Sequence, residues 1–279
     1  MIAILLSVSC GAFVGLSLAL TGGGGSNFAV PLLVFAIGLA PSQAMPLSLA
    51  AVAIIATTGA MHAIRQSLIH WSPTLTFAAG GMLGAPLGLK LAHGIPEQTL
   101  LNGFAVLALL VGASMAWRAW LRPQETAVVR ALPDAGLEPE GLVCRAASDG
   151  KLRFSAPCSF VLALTGVVTG VLAGFFGVGG GFLIVPALML ITRMGIHHAV
   201  ATSLVAIALT GLTGAAYAMS EGRILWSALT PFVAGGILAM LAGRRLAASI
   251  SGPRLQQLFA TAIVLMALLM LARSFLHGV

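Results

Sequence analysis

Charge is scarce in this chain. Only 8% of its 279 residues are Asp, Glu, Lys or Arg, against about 25% in a soluble domain. Acidic residues number 7, and Glu97 and Glu221 fall at the ends of apolar runs rather than inside them. A buried carboxylate relay, common in proton-driven transporters, is therefore not expected. The chain also lacks a paired carboxylate, a metal-ligand cluster or a nucleophile triad, so neither an enzyme nor a cofactor is expected. The three cysteines, Cys10, Cys144 and Cys158, are odd in number and have no metal or redox spacing. Each is expected to be an apolar filler or a loop thiol.

Hydrophobic residues are abundant at 59%. The few charges separate long apolar runs, which is the pattern of a polytopic membrane protein. In a soluble chain the net charge of +7 would suggest nucleic acid. Here it is a topology signal, because Lys and Arg mark cytoplasmic loops. The expected partner is the lipid bilayer and not nucleic acid, with the chain a monomer or homodimer. The first apolar run has no basic segment before it, so it is expected to be mature structure rather than a cleaved signal.

The whole chain is organised around Thr21-Gly22-Gly23-Gly24-Gly25-Ser26-Asn27-Phe28-Ala29-Val30-Pro31. Four consecutive glycines cost a helix about 1 kcal/mol each relative to alanine. The stretch recurs as Phe176-Gly177-Val178-Gly179-Gly180-Gly181-Phe182-Leu183-Ile184-Val185-Pro186. Sliding the chain against itself by this offset aligns residues 11–110 with 166–265 without a gap, and about a third of the pairs are identical. They include Ala44/Ala199, Ser48/Ser203, Gly59/Gly214, Trp71/Trp226, Phe77/Phe232 and Gly81/Gly236. Such a repeat points to an internal duplication.

Residues 3–20 and 27–39 flank the first break, and the second piece is too short for a span of about 20 residues. Spans are expected at 44–64, 72–92 and 99–120. The second copy predicts a broken pair at 158–176 and 182–192, then spans at 199–219, 226–246 and 254–275. The expected fold is all-α and polytopic, with two inverted repeats, each a glycine-broken helical hairpin plus three transmembrane helices. The first membrane repeat covers 1–120 and the second 156–279. Residues 121–155, with five acidic residues and Pro123, Pro133 and Pro139, form a hydrophilic linker. If each hairpin is non-crossing, one face receives Arg65, Arg118, Arg122, Lys151, Arg153, Arg193, Arg244, Arg245 and Arg254. The other receives Lys90, Arg223 and Arg273. The positive-inside rule then puts the linker in the cytoplasm and both termini outside.

Glycine breaks in corresponding places of two halves mark a transporter's binding site. A helix start after such a break presents unpaired N–H groups and a partial positive charge, and these hold anions. The candidate site in the first copy is Gly22, Gly23, Gly24 and Gly25, followed by Ser26 and Asn27. In the second copy it is Gly177, Gly179, Gly180 and Gly181. Ser48, Thr202 and Ser203 are hydroxyls placed to face the breaks, although membrane-helix hydroxyls often bond only the preceding turn. His62 and Tyr217 align across the repeat and are added as candidate contacts. The expected ligand is a small anion.

The two glycine breaks, each leading to Val-Pro (Val30-Pro31 and Val185-Pro186), together with Ala201-Thr202-Ser203, resemble the TauE/SafE family of sulfite and organosulfonate exporters. The resemblance covers nearly all of the chain outside the linker. It implies a bacterial inner-membrane protein that moves small anions such as sulfite or sulfoacetate, usually outward. The first copy departs from the pattern, having Pro46-Leu47-Ser48 where the second has Ala201-Thr202-Ser203, so no threonine role carries over to Leu47. An uptake permease for a sulfur compound or another small anion would use the same site. An intramembrane enzyme or assembly protein is the third reading, and the missing catalytic groups weigh against it.

Overall fold

The structure is a computed structural model and describes residues 2–121, 145–146, 152–153, 156–192, 196–247, 261, 263–270 and 272. Most of the linker and much of the expected span 254–275 lie outside these residues. In the linker, Arg145–Ala146 and Leu152–Arg153 form a two-rung antiparallel pair.

The rest is helical. Helix α1 covers Ile2–Thr21, and α2 covers Gly24–Ala36. Helix α2 starts as a 3-10 turn at Gly24–Phe28, passes through one α turn and ends as π-helix at Leu32–Ala36. Then come α3 (Pro41–Arg65), α4 (Trp71–Ala92) and α5 (Glu97–Leu121). The second copy gives α6 (Ala156–Phe176), α7 (Gly181–Thr192), α8 (Ile196–Ser220) and α9 (Trp226–Ala247). Residues 263–270 are also helical. Helices α1, α3, α4, α6, α8 and α9 are each long and apolar enough to cross a membrane. Helix α3 begins three residues before the expected 44, because Pro41 occupies its first turn, where a missing N–H costs nothing.

The two half-length helices follow the two glycine breaks, as the sequence predicts. At about 1.5 Å per residue, the 12 residues of α7 rise roughly 18 Å, well short of a 30 Å hydrocarbon layer. Leu83, Leu110, Phe160 and Leu238 on the outer helices are exposed. An apolar exterior of this kind suits lipid and would aggregate in water.

Helices α3 and α8 form the centre, and they are the most enclosed of the six long helices. They are repeat equivalents, and their contacts are reciprocal. Gly214 faces Leu49, and Gly59 faces Leu204, with Leu49 equivalent to Leu204 and Gly59 to Gly214. One contact joins early α3 to late α8, and the other joins late α3 to early α8. The two helices therefore run antiparallel. The outer pairs show the same reciprocity. Gly15 of α1 abuts Gly236 of α9, and Gly170 of α6 abuts Gly81 of α4. Absent side chains at these positions let the backbones approach closely, as at small-residue interfaces in membranes.

Candidate functional site

The two glycine breaks meet. A side chain at Gly23 would strike the backbone of Gly181, and one at Gly181 would stand 2.7 Å from Gly23 Cα. Residues 22–30 and 177–181 are buried without exception. The chain turns here through left-handed backbone, with φ of 72° at Gly22 and 72° at Gly179, a region that glycine enters without penalty. Helices α2 and α7 therefore both begin at this meeting point.

Each break is held by a hydroxyl from the other repeat. Ser203 Oγ on α8 donates to the Gly22 carbonyl at 2.8 Å. Its equivalent, Ser48 on α3, donates to the Gly177 carbonyl. Both hydroxyls also reach a carbonyl in their own helix, Val200 at 2.8 Å and Met45 at 3.1 Å. Within the first break, Ser26 Oγ donates to the Gly23 carbonyl at 2.8 Å, and the Gly25 N–H donates to Thr21 Oγ1 at 3.1 Å. The structure thus uses Ser26, Ser48 and Ser203 to hold backbone, and in the first break it already pairs the N–H groups of Gly22, Gly25 and Ser26.

Asn27 and Thr202 differ from these serines. Both are buried, and Asn27 Nδ2 and Oδ1 and Thr202 Oγ1 have no hydrogen-bond partner. Asn27 lines a cavity of about 10 Å³ with Phe104 and Ala108 of α5 and with Met266 and Met270. That is room for about one water. One wall is thus the start of α2, and the opposite wall comes from α5 and the helical stretch 263–270. Phe28 holds the start of α2 against α1 through an edge-to-face contact with Phe13, ring centroids 5.2 Å apart.

The remaining expected contacts are not drawn in. His62 stands exposed in the last turns of α3. Tyr217 is half-buried late in α8 and packs on the core. Neither side chain is hydrogen-bonded to a break residue in the described structure. Sequence reasoning missed Thr210, whose buried hydroxyl is also unpartnered. It also missed a histidine pair between the repeats. The rings of His70 and His198 lie 4.8 Å apart, and His198 Nδ1 is 2.8 Å from the Leu68 carbonyl. No spacing signal marks either, since the partners are distant in sequence. Cys10 is a buried free thiol, whereas Cys158 is disulfide-bonded, contrary to the filler or loop-thiol expectation. Among the described residues, no cluster of three His, Cys, Asp or Glu residues could hold a metal.

Comparison with known proteins agrees with this architecture. The profile of the sulfite exporter TauE/SafE family matches residues 7–270. A probable membrane transporter protein of Xylella fastidiosa (strain Temecula1) is 33% identical over 274 residues, covering 97% of this chain and 96% of the relative. The probable membrane transporter protein YunE of Bacillus subtilis (strain 168) is 28% identical over 218 residues, 75% of each chain. YdhB of the same organism, also named a probable membrane transporter protein, is 23% identical over 232 residues, 83% of this chain and 85% of its own. No solved structure matches. This chain is a multi-pass membrane protein, and it belongs to the TauE/SafE sulfite exporter family of membrane transporters.

Proposed function

We propose that the chain exports a small anion, sulfite or an organosulfonate such as sulfoacetate, by alternating access around the meeting point of the two glycine breaks. The observation that carries this reading is the contact of Gly23 with Gly181, which places the starts of two half-length helices together inside the protein. Each start carries a partial positive charge of about half an elementary charge. None of the described residues lining the adjoining cavity is charged, so an anion there would be held by helix ends, backbone N–H groups and neutral side chains. Half-helices that begin near the bilayer midplane at a repeat interface are a recurrent transporter design.

The antiparallel packing of the equivalent helices α3 and α8 supports inverted repeats, with the rocking of one repeat against the other as the transport motion. The asymmetry of Lys and Arg supports a cytoplasmic linker and external termini in a bacterial inner membrane. The protein then works as a monomer or homodimer. The test is flux of labelled sulfite and labelled sulfoacetate in proteoliposomes. Saturable flux of either supports the reading. Flux of neither, from protein shown to be folded, rejects it. Net movement only toward the linker side would make the protein an uptake permease.

A further inference from the structure

Three described residues carry buried side-chain polar atoms without a hydrogen-bond partner: Asn27, Thr202 and Thr210. They are 3%, 0% and 1% exposed, so bulk water does not satisfy them. Nothing in a helix forces this on a threonine. Its hydroxyl can donate to the carbonyl four residues back, and Thr57, Thr74 and Thr192 do so at 2.8, 2.6 and 2.6 Å. Thr202 and Thr210 have the same option in α8 and do not use it.

The duplication sets the three unpaired residues apart from the two serines that hold the breaks. Ser48 and Ser203 occupy equivalent positions, and both are hydrogen-bonded to the opposite break. The three unpartnered residues have apolar equivalents. Phe182 stands at the position of Asn27, Leu47 at that of Thr202 and Ile55 at that of Thr210. Leu47 and Ile55 are fully buried, so an apolar side chain fills the same place in the other half. The fold therefore does not need the hydroxyls of Thr202 and Thr210. Ser48 and Ser203, polar in both halves, hold the breaks, whereas Asn27, Thr202 and Thr210, apolar in the other half, are left unpaired.

Asn27 and Thr202 lie beside the breaks, and Thr210 lies further along α8. Asn27 lines the cavity, and Thr202 adjoins Ser203, which holds Gly22. Thr210 lies one turn beyond Ile207, whose side chain packs on Gly179 and Gly181. Its hydroxyl faces Gly81 of α4, where there is no side chain. We infer that Thr210, with Asn27 and Thr202, is a solute-recognition residue, and that the three give neutral hydrogen bonds to an anion passing the breaks. This rests on the anion-transport reading above. The set offers four donors, two N–H and two O–H, and no countercharge. It suits a small anion whose charge is spread over several oxygens.

Thr210→Val keeps the shape and removes the hydroxyl. With no solute present, the variant should unfold at a temperature no lower than the wild type, because an unpartnered polar group has been replaced by an apolar one. Flux of labelled sulfite or sulfoacetate should fall about tenfold or more, the loss expected for one hydrogen bond to a charged partner. Thr210→Ser should recover most of it. A lower unfolding temperature for Thr210→Val would make the hydroxyl structural and overturn the inference, as would unchanged flux. If the wild type moves neither anion, the anion reading fails and this inference falls with it. Normal wild-type flux beside unchanged variant flux removes the inference alone.

Discussion

Ser203→Ala separates holding a break from binding a solute. The hydroxyl is fully buried and donates to the Gly22 carbonyl at 2.8 Å. Alanine leaves that carbonyl facing a methyl group. A buried acceptor stripped of its partner costs about 1–3 kcal/mol. The bond to Val200 adds little, since that carbonyl also lies in the helical ladder of α8. For a chain of this size 1 kcal/mol moves the unfolding midpoint by about 2–4 °C, so the expected loss is about 2–12 °C. Ser48→Ala should behave alike, because its hydroxyl serves Gly177 in the reciprocal position. The two breaks touch at Gly23 and Gly181, so the double variant should depart from additivity by more than about 0.5 kcal/mol. The assay is thermal unfolding of solubilised protein, read beside anion flux in proteoliposomes. Ser203→Ala should lose stability and flux together. Full stability with lost flux would make Ser203 a solute ligand and refute the clamp. No change in either would remove both roles.

Equivalent glycines should respond unequally. Gly179→Ala forces a side chain into left-handed backbone, at roughly 1–2 kcal/mol, and sets its Cβ 2.8 Å from Val52, so flux should be lost. Gly24→Ala meets only Thr21, with Oγ1 at 3.3 Å, and should stay near wild type; equal effects on flux would contradict this geometry. For pH, burial and then the facing His198 push His70 below the ordinary histidine range. A base depressed in the folded state stabilises the fold above its ordinary value of about 6.5 and loses that contribution as pH falls below it. His70→Gln should therefore reduce the drop in unfolding temperature between pH 7.5 and 5.5, and an unchanged drop would remove His70 as its source. Reporter fusions after Pro123 and after Val279 should lie on opposite sides, with the first cytoplasmic; fusions on the same side would sink the inverted arrangement. The disulfide at Cys158 favours an oxidising compartment, against the charge asymmetry, so an external Pro123 fusion would reverse the assigned orientation.

Much of the architecture was legible because its signals are local. Apolar runs of span length and glycine clusters act within a few residues, and the duplication doubled each signal. That is why α1, α3, α4, α6, α8 and α9 stand close to their expected places. The part of the site that depends on pairing across the repeats was not legible. Ser203 meets Gly22, Ser48 meets Gly177 and His198 meets Leu68 across more than a hundred residues. Sequence reading named Ser48 and Ser203 as hydroxyls facing the breaks, and it could not show that each donates to a glycine carbonyl of the opposite repeat. His62 and Tyr217 differ from the serines, since neither is hydrogen-bonded to a break residue in the described structure. Their alignment across the repeat sets position along a helix and not surroundings: Tyr217 packs on the core, whereas His62 is exposed. Thr210 was passed over because a threonine in an apolar helix normally bonds its own backbone. Only the fold shows that it does not.

We propose further that the anion crossing at the meeting point of the breaks is driven by the membrane potential, since no carboxylate lies inside an apolar run to carry a proton. The most direct test is flux of labelled sulfite or sulfoacetate in proteoliposomes under an imposed potential, with the solute's ionic form held constant. A potential of 100 mV is worth about 2.3 kcal/mol per charge, which is a roughly forty-fold distribution of a monoanion at equilibrium. Outward flux should rise with an inside-negative potential and ignore a pH gradient at fixed potential. Flux that follows the pH gradient and ignores the potential would contradict the account.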